Sequence, residues 1–379
     1  AGLADYAAIN GVKVVRLDEV IDTLSDKCEF PIRSMKKDDV AYIMFTSGST
    51  GVPKGVPMTH ENYINFINNS MDILQFKQGD VFSDYHDWAF DISIFYLFCC
   101  PLAGGIFAPV DSKEDKLIPL RFMQEHKVTV WSSVPSCIFR MQRLYPAQVP
   151  GTAIRIMFLC GEPFSLKVLK YCQDVMKVEN IYNFYGLTET GVENFYHHCL
   201  LGDVERYEKY GFVPIGLPLP GNHVFLSEEK ELLLAGMQLT PGYIGGVGRD
   251  KFETIDNERW YHTGDVVVKA DDVYFCKGRI DSQVKISGYR IELMDIEANI
   301  KRFPGVREAV CIVRGDADVR QIIGVVLPEQ DEVDLEGLRK FLVGQLPAYM
   351  IPRQFNVVKE FPVNQNGKID RMSLRAMFV

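Results

Sequence analysis

Apolar residues run in two rhythms along this 379-residue chain. In the first half, short apolar runs alternate with stretches whose apolar residues recur at helical spacing. Residues 40–45 lie between Asp38-Asp39 and Thr46, and predict a buried strand feeding a glycine-rich loop. Thr59 then fits a helix N-cap, with Tyr63, Phe66, Ile67, Met71 and Leu74 along one face. The most apolar stretch is 92–110, but Asp91 precedes it and Pro101, Gly104 and Gly105 break it. That pattern predicts a buried helix, a PLAGG stop and a buried strand, with no membrane span. Further short strands are predicted at 155–159 and 178–184. Such alternation indicates the α/β class with mostly parallel strands.

From about Phe212 the rhythm shortens to strands and turns (GLPLPGN, ELLLAG, GYIGG, WYHTGD, DVYFCKGRID), which predicts a β-rich subdomain. From about Ser282 it changes again. Leu293, Ile296, Ile300 and Phe303 mark one helix, 310–313 and 322–327 two strands, and Leu335, Leu338, Phe341, Leu342 and Leu346 a second helix. We therefore expect a large body over 1–280, β-rich from about 212, and a compact α+β tail over 281–379.

Composition narrows the class. Hydrophobic content of 47% with 24% charged residues describes a globular chain with a large core. A formal net charge of -9 argues against a general nucleic-acid binder. The acidity sits in the body, because residues 282–379 hold 14 Lys/Arg against 13 Asp/Glu. Nine cysteines without C-x-x-C spacing suit reduced thiols, and no signal peptide opens the chain, so a cytoplasmic location is expected. Ala1 in place of an initiator methionine leads us to expect a truncated or processed N-terminus.

Five short motifs carry the chemistry. YIMFTSGSTGVPKGV (42–56) can turn successive backbone N–H groups toward an anion, with hydroxyls and Lys54 beside them. It is not the G-x-x-x-x-G-K-[ST] nucleotide loop, since no Ser or Thr follows Lys54. NFYGLTET (183–190) offers an aromatic ring, a glycine turn, a hydroxyl and a carboxylate suited to Mg²⁺. YHTGD (261–265) ends in a carboxylate able to accept from two ribose hydroxyls. GRIDSQVKISGYRIE (278–292) and NQNGKIDR (364–371) complete the order. His197-His198-Cys199 would not converge on one metal ion from an extended strand, where neighbours point to opposite faces.

In this order, these segments resemble the adenylate-forming superfamily of acyl- and aryl-CoA synthetases, luciferases and peptide-synthetase adenylation domains. The likeness is greatest to D-alanine:carrier protein ligases and stand-alone amino-acid adenylation domains. It implies a body of layered α/β lobes with a small β-barrel-like subdomain, followed by a mobile catalytic-lysine domain, and an N-terminal lobe that is incomplete here. It also implies ATP and Mg²⁺, an amino acid substrate, and a carrier protein bearing phosphopantetheine supplied in trans. Thr46, Ser47, Gly48, Ser49, Thr50, Gly51 and Lys54 match the loop on the β- and γ-phosphates. Tyr185 matches the adenine-stacking ring, with Asn183 and Phe184 beside it. Thr188 matches the α-phosphate contact and Glu189 the Mg²⁺ ligand. Asp265 and Arg279 match the ribose pair, Asp281 the hinge and Lys368 the catalytic lysine. Leu187 replaces the family's usual proline.

For the acid being activated, FDIS (90–93) matches the motif whose aspartate, here Asp91, binds a substrate ammonium. Ile92, Phe95, Ser132, Phe158, Cys160, Phe184, Val192 and Glu193 match pocket positions. The phenylalanines imply a tight cavity and a small amino acid, with D-alanine foremost. Glu193 fits an alanine pocket poorly and is expected to face solvent, its alternative being a second substrate amine or hydroxyl. His86 and Trp88 are expected at the pocket entrance. The competing readings are an aryl- or acyl-CoA ligase, and a nucleotide-binding fragment without catalysis.

Overall fold

A computed structural model describes residues 34–46, 53–149, 151–280, 283–315, 319–330, 332–362 and 369–378. Lys37–Val379 forms one compact unit, to which everything below refers. At its centre lies a seven-stranded sheet, in the order Ile106–Pro109, Val81–Asp84, Val130–Ser133, Ile156–Leu159, Asn180–Tyr185, Phe195–Cys199, Leu217–Pro218. The first five strands pair in parallel and the last two pairings are antiparallel. Strands such as VWSS and IMFL are buried along their whole length, as expected where helices cover both faces of a parallel sheet. Two apolar clusters fill the two faces. One gathers around Trp131, Phe164 and Tyr171, the other around Phe66, Phe82, Phe95 and Phe158.

Two local expectations change. Val40–Thr46 is not a buried strand leading directly to a helix. It pairs antiparallel with Lys54–Thr59, and none of its residues is buried: three are exposed and four half-buried. Ile106–Pro109 is an edge strand with only Ala108 buried, although the helix before it, Ser93–Leu102, does bury Ile94, Phe95 and Tyr96. No helix among the described residues is long and apolar enough to cross a membrane.

Thr59 caps helix His60–Leu74 as expected. Its hydroxyl accepts from Asn62 N, and Asn62 Oδ1 accepts from Thr59 N at 2.9 Å. The helix also carries asparagines on a polar stripe that docks the β-rich region. Asn62 donates to the carbonyls of Met237 and Leu239, and Asn65 and Asn69 both donate to that of Pro220. The β-rich region is a five-stranded antiparallel sheet built on the 13-residue strand Glu258–Ala270. After it, the hairpin Gln283–Ile286/Tyr289–Glu292 leads into helix Leu293–Lys301 and a three-stranded sheet of Val306–Arg314, Gln321–Pro328 and Gln354–Val357. This C-terminal segment has its own core around Ile296, Ile300, Val326, Leu338 and Leu342.

A fully buried side chain, Gln238, ties these parts together. Its oxygen accepts from Asn65 and Asn222, each at 2.9 Å, and its nitrogen donates to the carbonyls of Gly191 and Glu193, each at 2.7 Å. The loop it holds is strained. Val192 sits at φ 72°, a left-handed conformation that a β-branched residue adopts at a cost of about 1–2 kcal/mol. Gly186 is required because a Cβ there would lie 2.2 Å from the Val192 carbonyl oxygen. Gln238→Leu should therefore destabilise the protein by about 2–5 kcal/mol, since several buried groups lose their partner at once. Guanidinium denaturation checks this, and a loss below about 1 kcal/mol contradicts it.

Candidate functional site

The strand Asn180–Tyr185 delivers Asn183, Phe184 and Tyr185 to one side of a cavity of about 350 Å³. The adjacent strands Glu258–Ala270 and Val273–Arg279 deliver Asp265 and Arg279, which face each other directly in the register. All five residues expected around adenine and ribose thus line one space. Asp265 is buried and held from two sides. Arg279 Nη1 donates to one oxygen at 2.9 Å and the Tyr185 hydroxyl donates to the other. Asn183 spends its amide on the Pro214 carbonyl.

A second cavity, of about 260 Å³, brings together Asp91, Ile92, Cys160, Val192 and Glu193 with Thr188 and His86. Phe95, Ser132 and Phe158 do not line it, contrary to expectation. The rings of Phe95 and Phe158 stack edge-on 4.5 Å apart behind the wall, and Ser132 is fully buried in its strand. Phe184 belongs to the first cavity. Burial pushes the Asp91 carboxyl up to about 6, and Glu189 adds to the rise while Thr188 and Lys285 oppose it. Glu193 does not face solvent. It is 5% exposed, and burial pushes its carboxyl up to about 8 against the pull of Lys285 and Cys160. Burial also raises the Cys160 thiol, which makes it a wall and not a nucleophile. His86 lines the cavity and burial lowers it to about 4, so it is neutral. Trp88 is half-exposed against Phe107.

Thr188 and Glu189 sit in the single turn Thr188–Thr190. Glu189 is fully buried, and Arg290 Nη1 and the Tyr243 hydroxyl each bond one of its oxygens at 2.7 Å. Although burial opposes it, the Arg290 charge holds this carboxyl below the usual range. Arg290 comes from the C-terminal hairpin, which reaches into the body at several points. Gly288 N donates to Glu162, the Tyr289 hydroxyl donates to Asp87, and Lys285 lies 5.6 Å from the centre of the Tyr185 ring. A third cavity, of about 1000 Å³, opens between this hairpin, helix Leu293–Lys301 and Thr46, and shares Thr188, Tyr289 and Arg290 with the second.

Lys285 and Arg290 are site residues that the motif contained but the sequence reading did not single out. Their signal was legible in retrospect. They are directly opposed in the hairpin register, and two like charges so placed require anions nearby. Glu189, bonded by Arg290, and Asp91, near Lys285, are those anions. Thr46 and Lys54 face each other at the end of the N-terminal ribbon where the chain connects its two strands, with Lys54 Nζ 5.2 Å from the Tyr243 ring centre. Ser47, Gly48, Ser49, Thr50, Gly51, Asp281 and Lys368 lie outside the described residues. His197 pairs with Asp203 at 2.8 Å while His198 stacks on Tyr182, so the two are committed to separate neighbours.

The donor set bears on a metal. Among the described residues, no group of three or more His, Cys, Asp or Glu could hold an ion. Glu189 with the neighbouring Thr188 hydroxyl nevertheless suits Mg²⁺, which keeps most of its shell as water and phosphate and takes one or two protein oxygens. Both Glu189 oxygens are engaged here, so an ion would compete with the Tyr243 hydroxyl at one and with Arg290 at the other.

Two adjoining cavities that share Gly161 and Lys285, with a C-terminal α+β segment clasped over them, form the architecture of an adenylation domain. The Vibrio cholerae adenylation domain AlmE, solved in complex with glycyl-adenosine-5'-phosphate, matches 97% of this chain and 70% of its own at a TM-score of 0.79 and 25% identity. The AMP-binding enzyme pattern matches residues 6–244 and the AMP-binding enzyme C-terminal domain pattern 295–368. The chain belongs to the AMP-binding enzyme family. Over 96% of its length it is 32% identical to a D-alanine--D-alanyl carrier protein ligase of Staphylococcus epidermidis, covering 76% of that protein. It is also 32% identical to part of a dimodular nonribosomal peptide synthase of Bacillus subtilis, over 89% of this chain and 15% of that one.

The Glu189–Arg290 pair makes a prediction independent of substrate. Arg290→Met leaves a buried carboxylate uncompensated, which costs about 3–5 kcal/mol. The C-terminal segment should then dock less tightly, with faster amide exchange across 283–292 and less change in the body's core strands. Unchanged exchange in the hairpin contradicts this.

Proposed function

We propose that the protein activates a small amino acid with ATP, forming an aminoacyl-adenylate and pyrophosphate, and then passes the aminoacyl group to the phosphopantetheine thiol of a carrier protein in trans. The observation that carries this reading is the meeting of the two cavities at Gly161 and Lys285, which line both. Asp91 and Glu193 stand on one side of this junction, and Tyr185, Asp265 and Arg279 on the other. D-alanine is the candidate supplied by the similar ligases' names.

In the first step, the substrate carboxylate attacks the α-phosphorus and pyrophosphate leaves. Two anions must meet, so alignment and positive charge do most of the work. Asp91 would hold the ammonium and so fix where the carboxylate points. Thr188 would bond the α-phosphate, Asp265 and Arg279 would orient the ribose, and Tyr185 would cover the base. Thr46, the loop 47–51 and Lys54 would hold the leaving phosphates, and Lys368 would bridge the carboxylate and the nucleotide. Glu189 would hold Mg²⁺, which supplies charge neutralisation to the phosphates. In the second step, the thiol attacks the acyl carbon and AMP leaves. The segment carrying Lys285 and Arg290 would have to move between the steps, about a hinge at Asp281, since Arg290 and Mg²⁺ compete for one carboxylate. The described cysteines are all unbridged, in keeping with a cytoplasmic location.

The test is exchange of pyrophosphate into ATP, scanned over amino acids and aryl acids. Amino-acid-dependent exchange is expected. Exchange supported by aryl or fatty acids alone would instead indicate a CoA ligase, and ATP binding without exchange a non-catalytic module.

Asp91 also sets a pH dependence. Only the ionised carboxylate attracts an ammonium, and its raised value means that this form is lost as pH falls through about 6. The kcat/KM for the amino acid should therefore fall below that pH. Asp91→Asn should lower it roughly 10–100-fold at neutral pH and flatten the profile. A profile unchanged by the substitution would count against the assignment.

A further inference from the structure

Resting on the amino-acid reading above, we propose that the substrate carries a second hydrogen-bond donor, an amine or a hydroxyl, on a short side chain, and that Glu193 receives it. Glu193 lines the same cavity as Asp91 and is 5% exposed. Its Oε2 is buried and has no hydrogen-bond partner. A buried carboxyl oxygen without a donor is costly, and native structures leave few of them. Here the orphan atom belongs to a side chain in the wall of a binding cavity, where a ligand can supply the missing donor.

The surroundings favour this over an internal partner. Gln238 fixes the backbone at Glu193 by bonding its carbonyl oxygen, and Val192 before it is held in a left-handed conformation. The loop therefore spends conformational energy to keep this carboxyl facing inward. The other walls near it are Ile92, Val192 and the Cys160 thiol; the thiol is a weak donor to this carboxyl and leaves Oε2 without a partner. Lys285 is the cation that acts on Glu193 among the described residues, and it must also serve Asp91. An amino acid without a side-chain donor would satisfy Asp91 through its ammonium and leave Glu193 as it stands. A second amine or a hydroxyl would complete the site. The donor must sit close to the α-carbon, because the cavity holds only about 260 Å³ and the packed rings of Phe95 and Phe158 block its enlargement.

The acidity of Glu193 agrees with this. Its carboxyl, pushed up to about 8, can meet a hydroxyl while protonated and would ionise against an incoming ammonium. The shared requirement is a donor at one place. An apolar side chain there gains nothing from the carboxylate and forfeits the good packing that an apolar wall would give alanine.

Pyrophosphate exchange by the full chain tests the proposal with glycine, both enantiomers of alanine and serine, 2,3-diaminopropionate and 2,4-diaminobutyrate. The expected result is a kcat/KM roughly tenfold or more higher for a donor-bearing acid than for alanine or glycine. The diamino acids and serine separate an amine from a hydroxyl. Glu193→Leu should remove the preference, bringing kcat/KM for the donor-bearing acid down to that for alanine, and Glu193→Gln, close in shape, should weaken an amine more than a hydroxyl. Thermal melting of both variants separates misfolding from altered choice. Alanine or glycine preferred by the parent protein overturns the proposal while leaving amino-acid activation intact, as does an equal loss for all substrates in a folded Glu193→Leu. Exchange with aryl acids alone overturns the amino-acid reading and this proposal together.

Discussion

A fully buried carboxylate must have a cation, and Glu189 finds one only by drawing a residue from a distant part of the chain. Arg290 reaches it from a hairpin about a hundred residues away in sequence. This single pair explains why the C-terminal segment packs where it does. Lys285, opposite Arg290 in the hairpin, is carried into the same acidic space, and Gly288 and Tyr289 find acceptors in Glu162 and Asp87. Because a buried ion pair gains little over well-packed apolar side chains, its value lies in what it can exchange. A carboxylate neutralised by an arginine from a separate hairpin is also a carboxylate that a divalent ion could claim.

The turn carrying Glu189 is correspondingly rigid. Gln238 bonds its carbonyls, Asn194 and Asn222 brace it, and Gly186 lets the backbone pass close behind Val192. The energy stored in Val192 is affordable only because this polar network fixes both ends. The same brace sets Glu193 into the second cavity, beside Asp91 and Thr188.

Much of this was legible in the chain. The helix after Thr59, the parallel strands, the β-rich region and the C-terminal α+β segment follow from apolar spacing, which long periodic segments express strongly. Asp91, Cys160, Val192, Tyr185, Asp265 and Arg279 fall in the expected cavities because each is fixed by a local turn or a strand register. What was not legible depended on layering. Phe95, Ser132 and Phe158 alternate into the core instead of the cavity, and no local pattern distinguishes those two faces when both are apolar. Glu193 was misjudged because a lone carboxylate is ordinarily solvated, and only the distant Gln238 holds it inside. The exposure of strand Val40–Thr46 likewise depends on what covers it, which sequence period does not encode.

The central claim is that Arg290 and a magnesium–nucleotide complex compete for Glu189, so that the C-terminal segment must move when the first step is set up. Spin labels on the body at exposed position 209 and on the C-terminal segment at exposed position 340 would report this directly. Addition of Mg²⁺ with a non-reactive ATP analogue should shift the inter-label distance distribution, and the analogue without Mg²⁺ should shift it much less. An identical distribution in all three conditions, with nucleotide shown to be bound, would contradict the account.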